Sequence, residues 1–424
     1  MRRKIGKLLA VASLASALVG CSSTNESVVN ISIYNTKREI HTNLEAASKA
    51  FSEANPDIKV KVLGYSRYQE VKDKIASRRN YDNTPTIMIV DSLHIQDLKE
   101  EFVDLSDETW AEYLSIDMGE AARNSEGGLV AFPFAVEGMG LIYNQKVMEE
   151  CGIDVDKIRT RNALEEAFKK VEDSGRKAVI ITNDDWSLAN HFFTTAYSVK
   201  SEDSKAKVDF IADLKAGKVD LAKDETINGL LDTFDLMKSY NMYKEAPLSN
   251  SNERCAEALG RGEVGFWYMG NWAMQDILRS DVNKGDYGFI PVPISNDATD
   301  YGNNEITAAV KYLVIDKGAN SVEQQEAAKR FIDWLVYEEK GNDFMVNEAG
   351  LIPGVVANNI EFTNSLSNSI KTYQENNQVI EQMMAYLPHE NVTQVGNLLR
   401  AYLDNKIDRN TFLNELKNFW MKYN

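Results

Sequence analysis

The stretch from Val29 to Val90 restricts the possible folds more than any other. Val29, Ile31 and Ile33 alternate with polar residues, the period of a strand buried on one face. Ile40, Leu44, Ala47, Phe51 and Ala54 then recur at helical spacing, and Asn55-Pro56-Asp57 stops the helix. Ile58, Val60 and Val62 alternate with Lys59 and Lys61 as a second strand. Glu70 to Arg79 is predicted helical. Pro85 introduces a buried strand from Thr86 to Val90, with Asp91 and Ser92 at its carboxyl end. A strand–helix–strand–helix–strand series predicts an α/β fold, a mostly parallel sheet covered by helices.

The pattern starts again further on. Helices are predicted over 165–173, 188–197, 227–240 and 324–337, and strands over 178–182, 264–269 and 308–315, with an apolar stripe of Phe412, Leu416, Phe419 and Tyr423 on a last helix. At 424 residues the chain is too long for one ordinary core, so two domains are expected. Between the two halves lies GGLVAFPFAVEGMGLIYN, residues 127–144. It reads as two short strands, Leu129–Phe132 and Leu141–Tyr143, separated by Pro133, Gly138 and Gly140. One carboxylate, Glu137, stands between them. Strands that bend through Pro and Gly are places where a chain leaves one sheet for another. The chain is therefore expected to cross between two units here, with Glu137 facing a ligand. Further crossings are expected at 295–304 and 345–353.

The first twenty residues stand apart from the fold. Arg2, Arg3, Lys4 and Lys7 precede the apolar run Leu8–Gly20, which is too short to span a bilayer and suits a secretory signal. Leu18-Val19-Gly20-Cys21 resembles a bacterial lipobox, which implies lipidation of Cys21 and a tether over residues 21–27. Cys151 and Cys255 match no metal spacing and are expected to be two free or buried thiols. A net charge of −17 argues against nucleic acid, which needs a clustered basic face.

Several patterns suggest chemistry without supporting it. Residues 260–265 fit GxGxxG, but they follow a helical run and precede a strand, the reverse of a dinucleotide site, and read as a turn. His41, His94, His191 and His389 are too scattered for a metal. Asp184 and Asp185 follow a strand as a solvated turn or helix cap. No catalytic residue, metal or cofactor is expected. Trp334 and Trp420 fit amphipathic helices, and Trp110 is either surface or core. Trp186, Trp267 and Trp272 differ, because each lies at the predicted carboxyl edge of a sheet, where open α/β sheets bind ligands. An aromatic face beside polar groups suits a sugar. Trp267 either contacts the ligand or points into the sheet.

Three blocks in order, GGLVAFPFAVEGMGLIYNQKVMEECGI, ALGRGEVGFWYMGNWAM, and AAVKYLVIDKGANSVEQQEAAKRFIDWL followed by NEAGLIP, resemble the solute-binding lipoproteins of carbohydrate ABC importers, the group that includes the maltose-binding proteins. The resemblance implies a two-lobe periplasmic-binding-protein-like fold of type II. The lobes are mapped to 28–136 plus 300–345 and to 137–299 plus 346–424, joined by crossover strands. It implies a monomer, lipid-anchored to the outer face of the membrane, that delivers a sugar or oligosaccharide to permease subunits. By position, Glu137 matches a carboxylate that hydrogen-bonds sugar and Trp272 the aromatic that stacks on it. Trp186 lies near another aromatic position. Arg38 and Glu39, with Lys37, and Asp91, with Ser92, fall in first-lobe loops that make polar contacts. Asn271, Asp185, Trp267 and Asn304 complete the expected ligand-binding set. Asn391–Gln394 occupies the place of the family's late cleft aromatic, which has no counterpart. A non-carbohydrate solute (an anion, polyamine or glycerol phosphodiester) and a surface glycosidase are the alternatives.

Overall fold

The computed structural model describes residues 28–64, 84–114, 122–281, 285–355, 357 and 361–424. The leader, Cys21, its tether and the predicted helix 70–79 lie outside the described residues. The described part of the opening series, three strands and the first helix, forms as its periodicity predicts. Strand β1 (Val29–Tyr34) pairs in parallel with β2 (Ile58–Leu63) and with β3 (Ile87–Asp91). The helix His41–Ala54 crosses between β1 and β2, burying Leu44, Ala47 and Phe51. It ends where Asn55 turns both its backbone and its side-chain N–H onto the Phe51 carbonyl, ahead of Pro56.

The stretch 127–144 differs from its reading. One strand, β4 (Phe132–Asn144), runs without a break where two were predicted, and Leu129 makes only an isolated bridge with Arg123. Pro133 does not end the strand because it sits at a bulge. The register against β8 (Ile306–Ile315) shifts between Pro133 and Ala135, and the Pro133 carbonyl instead accepts from Gly354 N–H. The first half of β4 pairs antiparallel with β8, from Phe132 opposite Leu313 to Met139 opposite Thr307. The second half pairs antiparallel with β6 (Val264–Gly270) on one edge and with β7 (Tyr287–Ile290) on the other. Strand β5 (Lys177–Ile180) lies parallel to β6, and β9 (Val379–Glu381) parallel to β8. The sheet is therefore mixed rather than mostly parallel, because β4 runs against β6, β7 and β8, and β8 also runs against β3.

Two large apolar cores divide the chain. One gathers β1 to β3, the start of β4 up to Ala135, the end of β8 from Tyr312, and the helix Val322–Tyr337. The other gathers Met139 and Leu141 of β4, residues of β5 and β6 and the C-terminal helices to Trp420, and a third, smaller cluster holds Val136, Ile142, Ile180, Trp267, Met269 and Ile306. Both β4 and β8 pass from one core to the other where Glu137 faces Ala309. The segment after Gly350 (φ +65°) lies against β4 at the same level, with Val136 N–H donating to the Ile352 carbonyl at 2.7 Å. The polar segment 295–304 is not itself a crossing. It is a turn built on buried Asn303, whose side chain ties Ile294, Ser295 and Asp297, and β8 begins just after it. Residues 260–265 form a helix end, a turn with Gly262 at φ +67°, and the start of β6. Cys151 and Cys255 are unpaired.

Strand β7 packs so close that a Cβ on Gly140 would lie 2.7 Å from the Ile290 carbonyl oxygen, whereas one on Gly318 would meet nothing within 4 Å. Gly140→Ala should therefore lower the unfolding free energy by about 1–3 kcal/mol, the range for a forced backbone shift in a packed core. Gly318→Ala should leave it near the wild type. Urea unfolding of both variants checks the pair, and equal stabilities would contradict the close approach of β7.

Candidate functional site

The loop after β1 is pinned by buried Asn35. Its side-chain oxygen accepts the Lys37 N–H and its amide donates to the Lys37 carbonyl, each at 2.8 Å. This hairpin of contacts turns Lys37 inward, where only 4% of it is exposed. Its ammonium bridges Glu39 at 2.6 Å and Glu137 on β4. Burial works against the charge, but Glu137 and then Glu39 outweigh it, and the ammonium titrates above its ordinary range. Asp91 ends β3 opposite Lys311 in the β3–β8 register, and the two form an ion pair. Asp91 also caps the helix Ser92–Leu98 in a reciprocal arrangement with His94. Burial pushes the Asp91 carboxyl up, but Lys311 and then His94 hold it below the usual carboxylate range.

The facing wall comes from the second core. After β5, Asn183 donates to the carbonyls of Leu248 and Asn250, fixing the loop that carries Asp184, Asp185 and Trp186. Asp185 meets Arg400 at 3.2 Å. The predicted helix 188–197 begins as a π-helix, Ser187–Phe193, whose wider turn is a common device at binding sites. It carries His191, whose ring stands between the edges of Trp186 and Trp272, 5.1 Å from each. Burial, then the charge of Lys311, pushes the His191 pKa down to about 3, so the imidazole is neutral, and its buried Nδ1 has no protein partner. Trp272 follows β6. A Cβ on Gly270 would lie 2.0 Å from its ring, so the indole rests on bare backbone.

Together these walls enclose a cavity of about 990 Å³. Of the expected residues, Trp272, Glu137, Trp186, Asp91, Glu39, Arg38, Trp267 and Asp185 line it. Trp267 is 2% exposed and its buried Nε1–H has no protein partner. Asn271 lines a small adjoining pocket with Lys37, Glu39 and Glu137. Asn304 is not brought to the cavity, because its amide donates to the carbonyls of Ala298 and Asp300 and its oxygen accepts from Arg159. At the mouth Arg38 meets Glu253 at 3.5 Å across the gap between the two cores. The residues not anticipated include Lys311, Arg400, Glu253, Asp276, Arg279 and His191 as a lining group. A lysine inside the apolar run AAVKYLVI was a usable signal for the first, since such a charge needs a buried partner.

The family described as bacterial extracellular solute-binding protein matches residues 40–341, and the chain belongs to that family. A maltotriose-binding protein of Pyrococcus abyssi is 25% identical over 237 residues, 56% of this chain. The match spans 46% of that protein, about half its length. Among solved structures, the Streptococcus pneumoniae solute-binding protein RafE in complex with raffinose is 18% identical, with 93% of this chain and 99% of that one covered, at a TM-score of 0.77. A sugar transporter protein of Bacillus licheniformis in complex with stachyose is 16% identical, with 93% and 100% covered, at 0.73. The fold is that of a two-lobe solute-binding protein, each lobe α/β.

Removing the Lys37 charge leaves the buried Glu137 carboxylate and the half-buried Glu39 without their shared cation. Lys37→Met should cost about 3–5 kcal/mol of stability at neutral pH, as breaking a buried pair does. The pH dependence has two limbs. Lys37 is raised in the folded state, so its contribution is complete below its unfolded value of 10.5 and is lost as pH climbs through the folded value. Asp91 is depressed, so its contribution is complete above 3.8 and is lost as pH falls through the folded value. These two groups should leave stability level between 3.8 and 10.5. Calorimetric unfolding across that span checks this; a neutral-range loss that Lys37→Met or Asp91→Asn abolishes would contradict it.

Proposed function

We propose that the chain is the solute-capturing component of an ABC importer, taking a sugar or oligosaccharide between its lobes and passing it to membrane permease subunits. The lobes are residues 28–136 plus 300–345 and 137–299 plus 346–424. The observation that carries this reading is the cavity, whose wall combines Trp186, Trp272 and the nearly buried Trp267 with Glu39, Asp91 and Glu137. Axial C–H groups of a pyranose pack on an indole, while its hydroxyls donate to carboxylates. The volume, about 990 Å³, is at the upper end of small-ligand sites and suits more than one sugar ring. The named ligands of relatives, maltotriose, raffinose and stachyose, agree in class.

Ligand bound to both walls stabilises the closed arrangement by its differential affinity, so capture is a population shift and no bond is broken. The protein acts as a monomer without cofactor or catalysis. Cys21 carries the lipid that holds it to the outer face of the cytoplasmic membrane.

Isothermal titration of the leaderless protein with glucans, fructans, xylans and galactosides tests the proposal. At least one series should bind, and without turnover. Trp272→Ala should weaken that binding on the order of 10–100-fold, as truncating a central aromatic anchor does. No binding anywhere in the panel would overturn the sugar reading, and unchanged affinity in Trp272→Ala would remove that residue from the site.

A further inference from the structure

Charge bookkeeping inside the cavity narrows the ligand. Among the described residues, five cations and seven carboxylates line it. Lys37, almost wholly buried, is held by Glu39 and Glu137. Lys311, 15% exposed, is held by Asp91. Arg400 is held by Asp185 at 3.2 Å. At the rim, Arg38 meets Glu253 at 3.5 Å and Arg279 meets Asp276 at 2.6 Å. Every partner in these five sets is itself a wall residue, so the inward cations Lys37, Lys311 and Arg400 are paired within the cavity, while Arg38 and Arg279 are more than two-thirds exposed and pair only weakly at its rim.

The acids are not all neutralised in turn. Glu39 and Glu137 share one lysine. Asp184 has the Thr182 hydroxyl at 3.4 Å as its side-chain partner, and its carboxyl is pushed up by burial and by the nearby charges of Glu253 and Asp185. The wall carries two more negative charges than positive. Its carboxylates each keep unused lone pairs.

We propose that the cavity selects a neutral, hydroxyl-rich oligosaccharide and rejects the same sugar bearing a carboxylate or phosphate. This rests on the sugar reading above and deepens it. A hydroxyl donates as well as accepts, so it can satisfy the carboxylates. A ligand carboxylate only accepts. It would set lone pair against lone pair at a wall of net like charge, and could gain an inward cation only by breaking one of the internal pairs. The two inward lysines are the least able to leave theirs, since each would strand a buried carboxylate.

The test pairs sugars. The best neutral ligand from the calorimetric panel is compared with its own C6-carboxylate and its 6-phosphate, using the full mature chain. Each anionic form should bind roughly 100-fold more weakly, the scale of a like-charge mismatch in an interface. An anionic form that binds as well as the neutral sugar, or better, overturns the proposal. If no neutral or anionic sugar binds, the sugar reading itself fails and this inference falls with it. A second measurement uses Asp184→Asn combined with Asp185→Asn, loop substitutions that free the half-buried Arg400 on the helix Asn391–Leu403. With circular dichroism showing a folded protein, discrimination against the anion should fall roughly tenfold. A folded double variant that still binds the neutral sugar with undiminished discrimination would show that wall charge is not its source.

Discussion

A single ammonium, that of Lys37, ties the binding surface to the frame. It is buried, and a buried charge is tolerable only with opposite charge beside it. One of its carboxylates, Glu39, comes from its own loop. The other, Glu137, comes from the strand that joins the two cores. The loop is therefore fastened to the crossing, and Asn35 beneath it fixes the backbone that makes this reach possible. Glu137 is not an isolated acid. It is one of three members of an ionic cluster with Lys37 and Glu39.

The crossing itself explains why a site forms at this level. Strands β4 and β8 change cores side by side, with Glu137 between Val136 of the small apolar cluster and Met139 of the larger one. Side chains at such a level have polar neighbours available, and the sheet places Lys311 opposite Asp91 and next to the start of the gap. From the other core, β5 and β6 deliver the tryptophans at their carboxyl ends, the usual edge for ligands in α/β sheets. A neutral His191 fits between two indole edges without bringing a second charge into an aromatic corner.

Much of this was legible in residue order. Alternation of Val29, Ile31 and Ile33 and the helical spacing from Ile40 to Ala54 are local properties that survive folding. So is the position of Trp272 just past a strand. What was not legible depends on register and on main-chain details. Pro133 looked like a strand break because its bulge, and the Gly354 N–H that uses its carbonyl, come from the partner strand and a segment over two hundred residues away. Asn304 looked available because the turn that consumes its amide is made by its own neighbours, Ala298 and Asp300. Trp267 could not be oriented, since every residue of β6 is buried and a one-residue change in register would reverse its face.

The indole of Trp272 leans on Gly270, and the two behave as a single unit of recognition. One member contributes a ring; the other contributes the missing atom that lets the ring lie down. Truncation to alanine, the ordinary way of mapping a binding surface, subtracts at the first and adds at the second. Read as a map of contacts, such a scan would credit position 270 with touching the ligand, when its part is to stay out of the way of the residue that does.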